Sequence, residues 1–128
     1  MIIRIPMNKN ILLYLVIFPL LSNCHHFSYQ EINAISQPQT LRFESPATTT
    51  PHNLQFRLRA QTDGGFILTI NDEHRVTSKE ISLLKNHNDL DTIYSFEWYS
   101  TVCWIDYEPI NVRKGNVAMA VAFDYIPE

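Results

Sequence analysis

The clearest pattern in the chain is alternation of apolar and polar positions from residue 54 onward. Leu54, Phe56 and Leu58 alternate with Gln55, Arg57 and Arg59, as in a strand with one face buried. Asp63-Gly64-Gly65 follows, then Phe66-Ile67-Leu68-Thr69-Ile70. Asp-Gly and Gly-Gly suit tight hairpin turns, so residues 54–71 are expected to form a β-hairpin. Residues 77–86 read as one short helix or a strand. Thr77 and Glu80 have capping-box spacing, but the apolar stripe of Ile81 and Leu84 is thin. Residues 86–91, Asn-His-Asn-Asp-Leu-Asp, read as a polar loop.

Residues 92–107 form the aromatic centre of the chain. Tyr94, Phe96 and Trp98 share one face of an extended strand; Ile93, Ser95, Glu97 and Tyr99 share the other. Ser100-Thr101 is expected to bend the chain before a second strand from Val102 to Tyr107. Arg113-Lys114-Gly115-Asn116 reads as a second hairpin turn. The last strand has Val117, Met119, Val121, Phe123 and Tyr125 on one face and Ala118, Ala120, Ala122 and Asp124 on the other. Both faces are largely apolar, which predicts a central strand, with the alanines admitting a second sheet or a partner. Six or seven short strands with polar turns predict an all-β fold: a small antiparallel β-sandwich or barrel.

The N-terminal part follows another pattern. Arg4 and Lys9 precede an apolar core from Ile11 to Leu21, 11 residues long and interrupted by Pro19. A bilayer-spanning helix needs roughly 18 or more apolar residues, whereas about 10–14 suits a signal-peptide core. Residues 1–23 are therefore expected to be a signal peptide, with Met1 and Met7 both available as starts. Residues 24–53 contain Pro38, Pro46, Pro51 and a threonine run. They are expected to act as a flexible tether, with a possible edge strand at Leu41–Phe43. The β domain is then residues 54–128.

Leu21-Ser22-Asn23-Cys24 resembles the lipobox of bacterial lipoproteins. Leu21, Ser22 and Cys24 match the pattern, while Asn23 stands where glycine, alanine or serine is usual. The resemblance covers the leader alone. It implies that the Cys24 thiol receives a diacylglyceryl group and becomes the new N-terminus, which makes membrane lipid a partner. His25 rather than aspartate after the cysteine implies the outer membrane, facing the periplasm. The other cysteine is Cys103, in an apolar stretch. Lipidation leaves it without an internal partner. The alternative is a secreted or periplasmic protein with a Cys24–Cys103 disulfide, acting as a small enzyme or inhibitor.

Composition narrows the classes further. The formal net charge is −3, and the leader holds two of the cations and no acid, so the remainder is more acidic still. Nucleic-acid binding, which is driven by basic contacts to phosphate, is not expected. No H-E-x-x-H, C-x-x-C or G-x-S-x-G motif occurs. Ser82-x-x-Lys85 would need a helix to bring its lysine to the serine, and the companion motifs of the penicillin-recognising enzymes are missing. Cys103 with His74 or His87 would need a partly exposed thiol. His25, His26 and His52 fall in the tether and make a weak metal site. Residues 86–91 lack the glycine and glutamate of a calcium loop. No cofactor or metal is expected. The expectation is a membrane-anchored, non-catalytic binding or scaffolding module. Its partner is an envelope protein or glycan, and its candidate binding surface is Tyr99, Trp104 and Tyr107.

Overall fold

A computed structural model describes residues 28–46, 49–76 and 78–126. The signal segment, Cys24, His25 and His26 lie outside them. The described residues hold eight strands and no helix: β1 (Gln30–Glu31), β2 (Gln39–Glu44), β3 (Asn53–Thr62), β4 (Phe66–Asn71), β5 (Ser78–Leu83), β6 (His87–Glu97), β7 (Val102–Pro109) and β8 (Gly115–Asp124). They form two four-stranded antiparallel sheets, ordered β1-β8-β3-β6 and β2-β7-β4-β5. The sheets pack face to face as a sandwich, as the alternating pattern predicts.

The order has a simple logic. β1 pairs with β8, β2 with β7, β3 with β6, and β4 with β5. This is one long antiparallel hairpin rolled up, closed by the β3–β8 and β4–β7 pairings. Such a double-sheet wrap is a jelly roll. Every connection except β4–β5 therefore crosses between sheets. This corrects both expected hairpins. β3 and β4 do not pair, and β7 and β8 do not pair. Alternation says which face of a strand is apolar; it does not say whether the next apolar face lies beside it or opposite it.

The two glycine-bearing turns instead lock to each other at what we call the upper end. The Asp63 carboxylate accepts the Arg113 and Lys114 amides at 2.8 and 3.0 Å, and the Gly65 amide donates to Asn111 Oδ1 at 2.7 Å. Those backbone hydrogen bonds hold the Asp63 carboxyl below its ordinary range. Gly64 serves close approach: a Cβ there would meet the Asn111 carbonyl oxygen. Gly115 has φ 135°, and a Cβ there would meet the Gln61 carbonyl oxygen.

The core lies between the sheets. Leu54, Phe56 and Leu58 of β3 meet Phe66, Leu68 and Ile70 of β4, Cys103, Ile105 and Tyr107 of β7, and Val117 and Met119 of β8. Full burial of one such side chain contributes about 1.5–3 kcal/mol. β8 is central, as expected. Its alanines point away from the second sheet, opposite Arg59, Arg57 and Gln55 of β3, so they do not mediate sheet packing.

One open alternative closes and two expectations change. Of the short helix or strand read over residues 77–86, the strand is found, as β5, because it completes a hairpin with β4. Residues 87–91 are not a loop but the first half of β6; Leu90 packs on the core, and Asp91 takes a two-pronged bond from Arg57 at 2.9 Å. The sheets also begin well before residue 54. The edge strand around Leu41–Phe43 is present as β2, and Ile32 and Phe43 are buried in the core.

Candidate functional site

The three aromatic residues singled out above go to three different places. Tyr107 is 1% exposed and is not a surface residue. Its ring packs against Phe66 (centroids 5.5 Å apart), and its hydroxyl donates to the Ile35 carbonyl at 2.6 Å. Burial raises that hydroxyl's pKa to about 12. The reason is register: residues 103, 105 and 107 of β7 face inward, and 104 and 106 face outward. Tyr99 is 66% exposed, in the connection between β6 and β7. Trp104 is half-buried on the outer face of the β2-β7-β4-β5 sheet.

Around Trp104 that face carries a connected polar group. Register places Arg42, Trp104, Asn71 and Ser78 in one row, and Thr40, Asp106, Thr69 and Glu80 in the next. The Arg42 and Arg75 guanidinium carbons lie 5.4 and 5.3 Å from the indole centroid, within cation–π range. Arg42 also bonds Glu44 at 2.9 Å. Asp106 accepts from Thr40 Oγ1 (2.7 Å), Arg75 Nη1 (2.7 Å) and Asn71 Nδ2 (3.0 Å). Partial burial pushes its carboxyl pKa up, but those bonds and the Arg75 charge outweigh it and hold the carboxyl below its ordinary value.

Arg75 reaches this cluster from an uncommon backbone conformation, φ 58°. It closes the β4–β5 turn: its amide donates to the Asp72 carbonyl at 3.1 Å, and the Val76 amide donates to Asp72 Oδ1 at 2.9 Å. Glycine is the usual occupant of such a left-handed position. An arginine there is held in a strained conformation that aims its guanidinium at Trp104 and Asp106. No sequence signal identifies Arg75 or Arg42 as part of this cluster, because β2 and the β4–β5 turn meet Trp104 only through sheet pairing.

The same turn lines a second feature at the opposite, lower end of the sandwich. A cavity of about 330 Å³ is bounded by Asp72, Glu73 and His74 of the turn and by Glu97, Trp98 and Tyr99. Ser100 Oγ accepts the Glu73 amide at 3.2 Å and so joins the two connections.

The structure does not bring the candidate catalytic groups of the sequence together. Cys103 is fully buried, and burial raises its thiol to about 12, so it presents no thiolate nucleophile near neutral pH. His74 lies at the lower end and His87 starts β6 near the upper end. Ser82 lies on a strand and donates to Glu80 Oε1 at 3.0 Å, so the serine–lysine spacing does not fall on a helix face. Among the described residues no group of three or more His, Cys, Asp or Glu side chains is placed to hold a metal ion.

No protein-family model and no curated protein matches this chain. Among solved structures it is similar to one described as "CBM4 structure and function", at 10% identity, with 75% of this chain and 70% of that chain covered and a TM-score of 0.39.

Proposed function

We propose that this chain is a membrane-anchored, non-catalytic binding module of the bacterial envelope. In this reading Cys24 carries the lipid and the outer face around Trp104 carries the ligand. The observation that supports it is the Trp104 cluster itself. An indole stands on an interior strand of its sheet, with the Arg75 guanidinium, a carboxylate, an amide and a hydroxyl joined beside it by hydrogen bonds to Asp106, and the Arg42 guanidinium held over it by its ion pair with Glu44. Fixed polar groups lose little freedom on binding. A sugar ring matches this chemistry, since its C–H face packs on an aromatic ring while its hydroxyls exchange bonds with planar polar side chains. We therefore favour a glycan over a protein partner.

Two experiments test the reading. Titration with a panel of soluble envelope oligosaccharides, followed by tryptophan fluorescence in the wild type and by calorimetry in both forms, should give saturable binding that Trp104→Ala abolishes. Binding that survives both Trp104→Ala and Asp106→Asn, or no binding by any glycan in the panel, would sink the glycan reading. Metabolic labelling with a palmitate analogue tests the anchor: label on wild type and none on Cys24→Ala is expected, and equal label on both refutes it. The alternative, a secreted protein with a Cys24–Cys103 disulfide, would need the Cys24 sulfur to meet a thiol that is buried between the sheets.

A further inference from the structure

We infer that the lower end of the sandwich is a membrane-contact surface, docked on the bilayer that holds the lipid anchor. The inference rests on lipidation of Cys24, as proposed above. Its first support is reach. Ser28 is four residues from Cys24, so the two are separated by at most roughly 14 Å of chain. Ser28 lines a surface cavity with Val121, Ala122 and Phe123, which places it beside the lower half of β8. From Val121 the lower end of β8 at Asp124 is about 10 Å away and the upper end at Gly115 about 20 Å. A lipid on Cys24 can therefore bring the bilayer to the lower end and cannot bring it to the upper end. An anchor at the far end of a 30-residue tether would impose no such constraint.

The second support is the chemistry of that end. Val76 in the β4–β5 turn is 81% exposed, Tyr99 66% and Ile126, just past β8, 67%. These are an aliphatic turn tip, a tyrosine and an isoleucine on connections that share one end of the fold; the upper end exposes Leu84 (67%) and Ile110 (54%), so it is reach from Cys24, and not apolar exposure alone, that selects the lower end. Aromatic residues with a polar tip favour the headgroup level of a bilayer, and aliphatic tips favour the acyl boundary. The neighbouring side of the sandwich, along β1 and β2, presents Glu31, Thr40, Arg42 and Glu44 instead. The charges of the lower end, Asp72, Glu73, Glu97 and Asp124 against Arg75, are mainly acidic. That balance fits zwitterionic headgroups and disfavours anionic ones.

The test uses the full lipidated chain in vesicles of phosphatidylethanolamine and phosphatidylcholine. Single cysteines for nitroxide labelling are placed at the lower end (Val76→Cys, Tyr99→Cys, Ile126→Cys) and at the upper end (Leu84→Cys, Ile110→Cys). The native Cys103 is buried and does not compete for label. Flotation with the vesicles reads the anchor. The ratio of oxygen to nickel-chelate accessibility reads depth, and it should be severalfold higher at the three lower positions than at the two upper ones. A protein that floats yet shows equally aqueous labels at both ends overturns the docking surface and leaves the anchor standing. A protein that does not float, with no lipid on Cys24, overturns both. Label immobilisation at Val76 that rises with concentration in the soluble Cys24→Ala form assigns this end to a second copy, and overturns the inference.

Discussion

Replacing Arg75 separates backbone strain from side-chain contact, and the two substitutions that do so have opposite expected ranks. Arg75 sits at φ 58°. An L-residue there costs about 1–2 kcal/mol and glycine costs almost nothing. Its side chain returns something: the 2.7 Å ion pair to Asp106 joins side chains 47% and 35% exposed, so solvent limits it to about 0.5 kcal/mol. The contact with the Trp104 ring adds about 0.5–1 kcal/mol. Arg75→Ala loses both contacts and keeps the strain, so it should destabilise by about 1–1.5 kcal/mol. Arg75→Gly loses the same contacts and sheds the strain. It gives back about 0.5–1 kcal/mol through the greater freedom of glycine in the unfolded chain. Glycine should therefore be more stable than alanine by about 0.5–1 kcal/mol, the reverse of their usual order within a strand. Urea unfolding followed by tryptophan fluorescence, with m unchanged across the series, measures this. An alanine variant as stable as the glycine variant would refute the strain.

Two further predictions concern titratable groups. In a Cys24→Ala background, Cys103 should not react with a thiol reagent at pH 8 while the protein is folded, and should react fully in denaturant. With a thiol raised to about 12, the thiolate fraction there is about one in ten thousand; rapid reaction of the native protein would contradict the packing described. Asp106, whose folded carboxyl is lowered, contributes stability that is complete above the ordinary carboxylate value of about 4 and is lost as pH falls through the lowered one. The stability difference between wild type and Asp106→Asn should shrink between pH 7 and pH 3, and a difference that is constant across that range would argue against the bonds assigned to the carboxylate.

Part of the site is legible in residue order and part is not. Trp104 can be picked out as an aromatic in a strand, but Tyr107, three residues on, has the same signal and the opposite fate. Residues 104 and 107 are on opposite faces because side chains alternate, and only the core face of β7 decides which is wet. Arg42 and Arg75 have no local feature that ties them to Trp104. They come from positions 62 residues before and 29 before it, and strand pairing alone brings them together. Asn and Asp favour turns, which predicts a loop over residues 86–91; cross-strand bonding to Arg57 and a row of backbone bonds to β3 override that preference from His87 onward.

Residue order alone establishes the class of the fold. Period-2 alternation in β3, β4 and β8 requires strands with one face out of water, and strands of that kind bury their apolar faces by stacking two sheets. The apolar leader ending in Cys24 likewise stands as a proposal from sequence alone. Which strands are neighbours emerges only in the folded chain. The turns at residues 63–65 and 113–116 look like hairpin turns because glycine permits many conformations, and they become crossings because each needs the other as a hydrogen-bonding partner. Local chemistry is written residue by residue. Adjacency between strands separated by tens of residues is set by the free energy of the whole core, and no short stretch of the chain carries that information.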